Sequence, residues 1–293
     1  MKISNITARC MIFLLSMIMS FTALSAEPLQ VYTVNYPLQY FAERIAGEHA
    51  RVVFPAPAGS DPATWQPGIS EIRLYQQADL VLLNGAGYAQ WVKQASLPRA
   101  RLLDTSAAFS DALIEIGGSA THSHGPGGAH AHSGYAATTW LDPVQAVSQA
   151  SAIHAALIRL RPDASAEMEN NFKSLEQDLL ELDSRMQAVT AELQSVPILA
   201  AQPVYQYLGR RYGLDIRPVH RDDDHYPEPA EPAGKNQPAI MLRETAAPPA
   251  TQQQLENRGI RPVVFATAAK RPDEGDYFTV MQENLARLGA VPR

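Results

Sequence analysis

Four histidines stand together in a stretch that offers little other chemistry. His122 and His124 form one His-x-His pair and His130 and His132 another, with Gly-Pro-Gly-Gly between them. Neutral imidazoles bind zinc, nickel and copper, and a glycine-rich turn lets two such pairs fold round one ion. Without a rigid set of partners for the second ring nitrogens, affinity is modest and selectivity poor. The segment therefore predicts a metal-collecting or metal-sensing loop. The alternative is a solvated insertion whose imidazoles meet metal only incidentally. A second group lies further on: His220 and His225 flank Asp222, Asp223 and Asp224, with Glu228 and Glu231 nearby. Such a run makes either an oxygen-rich cation site or a solvated acidic loop. His49 and His154 read as ordinary helix or surface residues, and Trp65, Trp91 and Trp140 as packing. Glu244 follows an apolar run and is placed to point into a cleft. The mature chain has no His-Glu-x-x-His, Gly-x-Ser-x-Gly, phosphate loop or nucleophilic cysteine, so no catalyst is expected.

The element that must position these residues is a long helix. Met168, Phe172, Leu175, Leu179, Leu182, Met186, Val189 and Leu193 step by four and three throughout, one apolar stripe on a helix from Asp163 to Val196. Pro162 precedes it, Asp163 or Ser165 is suited to cap it, and Pro197 stops it. At 1.5 Å per residue it would be roughly 50 Å long. Such a stripe suits a coiled-coil strand, which keeps dimerisation open. It equally suits a spine between two lobes, and the flanking segments favour that.

Ahead of the helix, short apolar strands at Leu29–Val34, Arg51–Phe54, Asp79–Asn84 and Arg101–Leu103 alternate with helical segments. After it, strands at Ile198–Ala201, Asp215–Val219, Ala239–Leu242 and Val263–Ala266 do the same. This alternation predicts two α/β lobes, each with a mostly parallel sheet flanked by helices, joined by one long rigid helix. The expected divisions are a signal peptide over 1–26, an N-terminal α/β lobe over 27–160 with a His-rich loop at about 117–135, a connecting helix over 161–197 and a C-terminal α/β lobe over 198–293.

The first 26 residues have the basic start, short apolar run and small residues of a cleaved secretory signal, with cleavage after Ala26. The run is too short to span a bilayer comfortably. The one cysteine, Cys10, leaves with it, so the mature chain has no disulfide. Removing Lys2 and Arg9 leaves 22 basic against 30 acidic residues, a net charge of −8 that disfavours nucleic acid as a partner.

Several motifs occur in a telling order: Val34-Asn-Tyr-Pro-Leu-Gln-Tyr-Phe-Ala42, Pro57-Ala-Gly-Ser-Asp-Pro62, Ala78-Asp-Leu-Val-Leu-Leu-Asn-Gly-Ala-Gly87, Trp140-Leu-Asp-Pro143, Arg210-Arg-Tyr-Gly-Leu214 and Gly275-Asp-Tyr-Phe-Thr-Val-Met281. Together they resemble the ZnuA-like zinc- and manganese-binding periplasmic solute-binding proteins of metal ABC transporters, over nearly all the mature chain. The resemblance implies two α/β lobes on a rigid helix, with a metal in the cleft that is handed to a membrane permease. It also implies three histidines and a carboxylate as ligands. At the matching positions this chain has Ala63, Thr138, Gln202 and Ala266. Alanine offers no donor, and Thr and Gln are weak zinc ligands. The standard cleft site is therefore expected to be absent.

These features together lead us to expect a periplasmic metal-binding component of, or accessory to, a metal ABC uptake transporter. Zinc is the expected metal, bound weakly or on the His-rich loop. Its partners would be a membrane permease or another periplasmic metal-binding protein. The alternatives are a scaffold that binds no metal and a binding protein whose cleft takes a small organic ligand, with Gln202 and Thr138 as hydrogen-bond partners.

Overall fold

The computed structural model describes residues 27–123, 129–219 and 239–291, with backbone alone for 117–123 and 129–133. The first lobe runs β1 (Leu29–Thr33), α1 (Tyr36–Ala46), β2 (Ala50–Val53), α2 (Ile69–Gln77), β3 (Leu80–Leu83) and β4 (Leu102–Asp104). Its sheet has the order β2-β1-β3-β4, and every pairing is parallel. The unbroken apolar run of β3 suits a strand covered on both faces. Asn35 caps α1 by accepting from the Leu38 N–H at 3.1 Å, and Pro37 occupies an early position where no N–H is needed. After β3 the chain turns at Gly85, whose φ is +74°. A Cβ there would lie 1.8 Å from Ser106 Oγ, so the turn requires glycine.

The histidine segment is not the loop expected from its composition. Strands β5 (Glu115–Ser123) and β6 (Ala129–Tyr135) pair antiparallel as a separate two-stranded ribbon. A stretch this long, detached from both sheets, satisfies its backbone groups by pairing with itself. The Ala-His-Ala-His run in β6 fits the two-residue period of a strand.

Helix α3 (Pro143–Leu160) starts on Asp142, which accepts from the Val144 and Gln145 N–H groups at 3.0 and 3.4 Å. The spine follows as α4 (Ser165–Ala191). It is shorter than its stripe suggested: 27 residues, about 40 Å. A 3-10 turn over Pro162–Ala164 leads into it, and no side chain caps its start, so neither Asp163 nor Ser165 has that role. Near its end, Thr190 turns its hydroxyl onto the carbonyls of Met186 (2.8 Å) and Gln187 (3.3 Å). Gln194 Nε2 then donates to the Tyr212 carbonyl at 2.9 Å and ties the end to the second lobe.

Met168, Leu175, Leu179, Leu182 and Met186 are all buried within the single chain. The helices against α4 are α1 and α3 of the first lobe, with α5 (Gln206–Tyr212) and α7 (Tyr277–Gly289) of the second. The stripe is thus covered inside the molecule, as a spine requires. The second lobe completes with β7 (Ile198–Ala200), β8 (Ile216–Pro218), β9 (Ala239–Arg243), α6 (Pro249–Asn257) and β10 (Ile260–Val264). Its sheet, ordered β10-β9-β7-β8, is again parallel throughout, with Pro262 tolerated because β10 is an edge strand. His49 and His154 both pair with the start of the spine. His49 Nε2 lies 3.0 Å from Glu167, and buried His154 stacks on Phe172 with its Nε2 3.3 Å from Glu169.

Two polar clusters tie the spine to its surroundings. Asp183, buried on α4, accepts from Arg211 through both its oxygens and from the Tyr212 hydroxyl at 3.0 Å. On the other side, Arg44 donates to Asp178 of α4 at 2.7 Å and to the Tyr40 hydroxyl at 3.0 Å. That hydroxyl donates in turn to Asp276, the cap of α7, at 3.1 Å.

Replacing Asp183 by Ala leaves the buried Tyr212 phenol unmatched and Arg211 with only the longer 3.8 Å pair to Asp142, and should lower unfolding stability by about 3 kcal/mol in urea titrations. Replacing Arg217, whose pair with Asp215 is fully solvated, should leave the midpoint unchanged. Burial pushes the Tyr40 hydroxyl up to about 12 from an ordinary value of 10.0. A raised folded value means stability is complete below about pH 10 and declines as pH rises toward 12. The urea midpoint should therefore fall over that range, and less steeply in Tyr40→Phe.

Candidate functional site

The C-terminal ends of the two parallel sheets meet, the place where α/β sheets hold ligands. In the first lobe a buried amide network fixes these ends. Asn35 Nδ2 donates to Asn84 Oδ1 at 3.2 Å, and Asn84 Nδ2 donates to the Ala137 carbonyl at 2.8 Å. Thr139 Oγ1 and Gln149 Nε2 both reach Asn84 Oδ1 at 3.3 Å. Gln149 Nε2 also donates to Thr105 Oγ1 at 2.9 Å. The network pins residues 137–139 to the ends of β1, β3 and β4.

That pinned segment carries the seam between lobes. The Thr138 hydroxyl donates to the Val204 carbonyl, and the Trp140 indole N–H donates to the Thr267 carbonyl at 2.7 Å. Tyr277 returns a bond to the Trp140 carbonyl at 3.2 Å, and the Tyr36 N–H donates to the Ala269 carbonyl at 3.0 Å. Trp140 is fully buried, so its role is packing and joining, as its sequence context suggested.

Of the four positions singled out in the sequence, Thr138 bonds across this seam, and Gln202 and Ala266 follow strands β7 and β10 of the second sheet. Ala63 lies half-buried in the 57–67 loop and presents only a methyl group. The Thr138 hydroxyl is committed to Val204. Gln202 follows β7, and its side-chain oxygen is buried with no hydrogen-bond partner. Both backbone groups of Ala266 are held by Asn284, at 2.9 Å to its oxygen and 2.8 Å from its nitrogen. Among the described residues no three His, Cys, Asp or Glu side chains gather as a metal site.

Other side chains stand at the same seam. Glu244 follows β9, and its Oε1 accepts from the Thr267 hydroxyl at 2.6 Å. Tyr88 packs edge-on against Trp140, 5.8 Å between ring centres, with its hydroxyl buried and unpartnered. Burial raises the Tyr88 phenol well above its ordinary value, and the charges of Asp61 and Glu244 add to this. The sequence had suggested Glu244 alone. Tyr88 was legible only as the residue after the Gly85-Ala-Gly87 turn, and Asp61 only as the marker before Ala63.

In the ribbon, His122 pairs directly with His130, and His132 pairs with Ala120. Opposite positions in an antiparallel pair lie about 5 Å apart on one face, and alternate positions share it. The backbone therefore places positions 122, 130 and 132 on a common face. His124, His220 and His225 lie outside the described residues.

A family model described as zinc-uptake complex component A, periplasmic (ZnuA) matches residues 31–291. The chain is 25% identical over 277 residues to the zinc-binding lipoprotein AdcA of Streptococcus pneumoniae strain R6, covering 89% of this chain and 55% of that protein. It thus spans about half the length of that relative. It is also 25% identical over 281 residues to the high-affinity zinc uptake system protein ZnuA of Bacillus subtilis, covering 89% and 87% respectively. Among solved structures, the metal-dependent lipoprotein YcdH of Bacillus subtilis superposes with a TM-score of 0.74 at 22% identity, over 89% of this chain and 98% of that one. That likeness is one of fold.

If the cleft lacks metal for want of donors alone, restoring them should restore binding. Ala63→His, Thr138→His, Gln202→His and Ala266→Asp combined, in a chain without residues 117–135, should bind zinc at least about a hundredfold more tightly than the same chain unsubstituted, by competition with a chromogenic chelator.

Proposed function

The chain belongs to the ZnuA family of periplasmic zinc-uptake components, and from that premise we propose that it is an exported zinc-binding protein that serves a metal ABC uptake transporter with its ribbon rather than its cleft. It is a binding component of transport and not an enzyme. The proposal is supported by the residue types at two places. The cleft has alanine at two of its four positions, while the ribbon register sets His122 opposite His130 with His132 on the same face.

Imidazole pairs at that spacing suit zinc, and a support of only two strands suits capture and hand-over better than tight retention. His124 belongs to the same proposal from its place in the sequence, and His220 and His225 form a second, weaker candidate group. Residues 1–26 act as the export signal, 27–160 and 198–293 as the lobes, and 161–197 as the connector. The partner is the membrane permease of such a transporter, or another periplasmic metal-binding protein that receives the metal. Relatives named for zinc binding and for zinc uptake support this choice of metal, and one relative named for manganese binding keeps the metal class broader. Among the described residues no helix is long and apolar enough to cross a membrane.

Calorimetric zinc titration of the metal-free mature protein should show binding in the micromolar range, about −8 kcal/mol. His122→Ala with His130→Ala should weaken it about tenfold or more, and removal of residues 121–134 should abolish it. A tight site that survives the deletion would disprove the assignment.

A further inference from the structure

The ribbon starts on a rung that its own two strands do not complete. At its base the Ala136 N–H donates to the Ile114 carbonyl at 2.8 Å. An antiparallel pair at such a position returns a second bond, from the Ile114 N–H to the Ala136 carbonyl. Here a side chain stands between those two groups. The Ile114 N–H donates to the Tyr207 hydroxyl at 3.2 Å, and that hydroxyl donates to the Ala136 carbonyl at 3.1 Å. Tyr207 belongs to α5 of the second lobe and is fully buried. Burial raises its phenol above the ordinary value, so the oxygen keeps the proton it donates.

A second side chain of α5 grips the same base. Arg210 lies over the Tyr207 ring, 5.1 Å from its centre, and donates to the carbonyl of Ala112, the last residue of the 3-10 turn ahead of β5. The next two residues, Arg211 and Tyr212, hold Asp183 of the spine. One short helix therefore grips both the ribbon and the spine. The ribbon is continuous in sequence with the first lobe, yet its first rung is closed by the second.

We propose that Tyr207 is a positioning residue that ties the pairing of the ribbon to the placement of the second lobe, so that a divalent metal ordering the ribbon also steadies α5. The metal half of this inference rests on the ribbon reading given under Proposed function; the clamp does not. A slip of one residue would move every position of a strand to the other face, and a fixed first rung keeps positions 122 and 130 opposite each other. The coupling is reciprocal: what orders the ribbon steadies α5, and what loosens α5 weakens the ribbon's hold on its metal.

The test is amide hydrogen exchange, with zinc as the only added ligand, on the mature protein and on Tyr207→Phe, which keeps the ring beneath Arg210. Without metal, amides 112–116 and 134–136 should exchange at least about fivefold faster in Tyr207→Phe, while those of β3 and β9 stay unchanged. With saturating zinc, the wild-type protein should gain protection in α5. Tyr207→Phe should gain none there and should bind zinc about fivefold more weakly. Arg210→Ala leaves the hydroxyl in place, should loosen the same amides, and decides the matter if Tyr207→Phe does not fold. Unchanged exchange at the ribbon base, exchange raised equally throughout the chain, or full zinc protection of α5 in Tyr207→Phe would each overturn the inference. Faster exchange at the base with no zinc uptake by the wild-type protein would support the clamp and overturn the ribbon reading, and the metal half with it.

Discussion

One apolar stripe governs the architecture. Met168, Leu175, Leu179, Leu182 and Met186 must leave water, and the helices that cover them come from both lobes. Burying five such side chains contributes on the order of 10 kcal/mol. Any change in the separation of the lobes would uncover part of that surface. The lobes are therefore fixed to one shaft, and the facing ends of the sheets are fixed with them. The Asp183 and Arg44 clusters hold the shaft in rotation as well as position, because each reaches a different flank of α4.

The seam follows from that constraint. With the sheets held in place, residues 137–140 bridge them through the Thr138 hydroxyl and the Trp140 indole. The buried amides Asn35, Asn84 and Gln149 make this segment a rigid part of the first lobe. A seam so well bonded holds the two lobes together whatever side chains line its centre. Ala63 and Ala266 carry no donor in their side chains. Thr138 goes further, because its hydroxyl serves as a bond between lobes.

Most of the fold was legible because its signals are local and strong. The four-three stripe of the spine, the apolar run Leu80–Leu83 and the Asn35-Tyr36-Pro37 and Asp142-Pro143 helix starts each dictate their element without outside help. The end of the spine was not legible: the stripe continues to Leu193, but the helix stops at Ala191 and Gln194 turns to the Tyr212 carbonyl of the second lobe. The ribbon was hidden by its composition, since glycine and histidine read as loop until the two strands are seen to pair. At the cleft, the residue types at positions 63, 138, 202 and 266 could be read one by one. The packing of Tyr88 on Trp140 could not, because the two residues are far apart in sequence.

The central claim is that metal contact has moved from the cleft to the ribbon. The most direct measurement is anomalous diffraction at the zinc absorption edge from crystals of the mature protein grown with stoichiometric zinc. The account predicts a zinc peak between positions 122 and 130 and none among residues 63, 138, 202 and 266. A zinc peak in the cleft, with none at the ribbon, would contradict it.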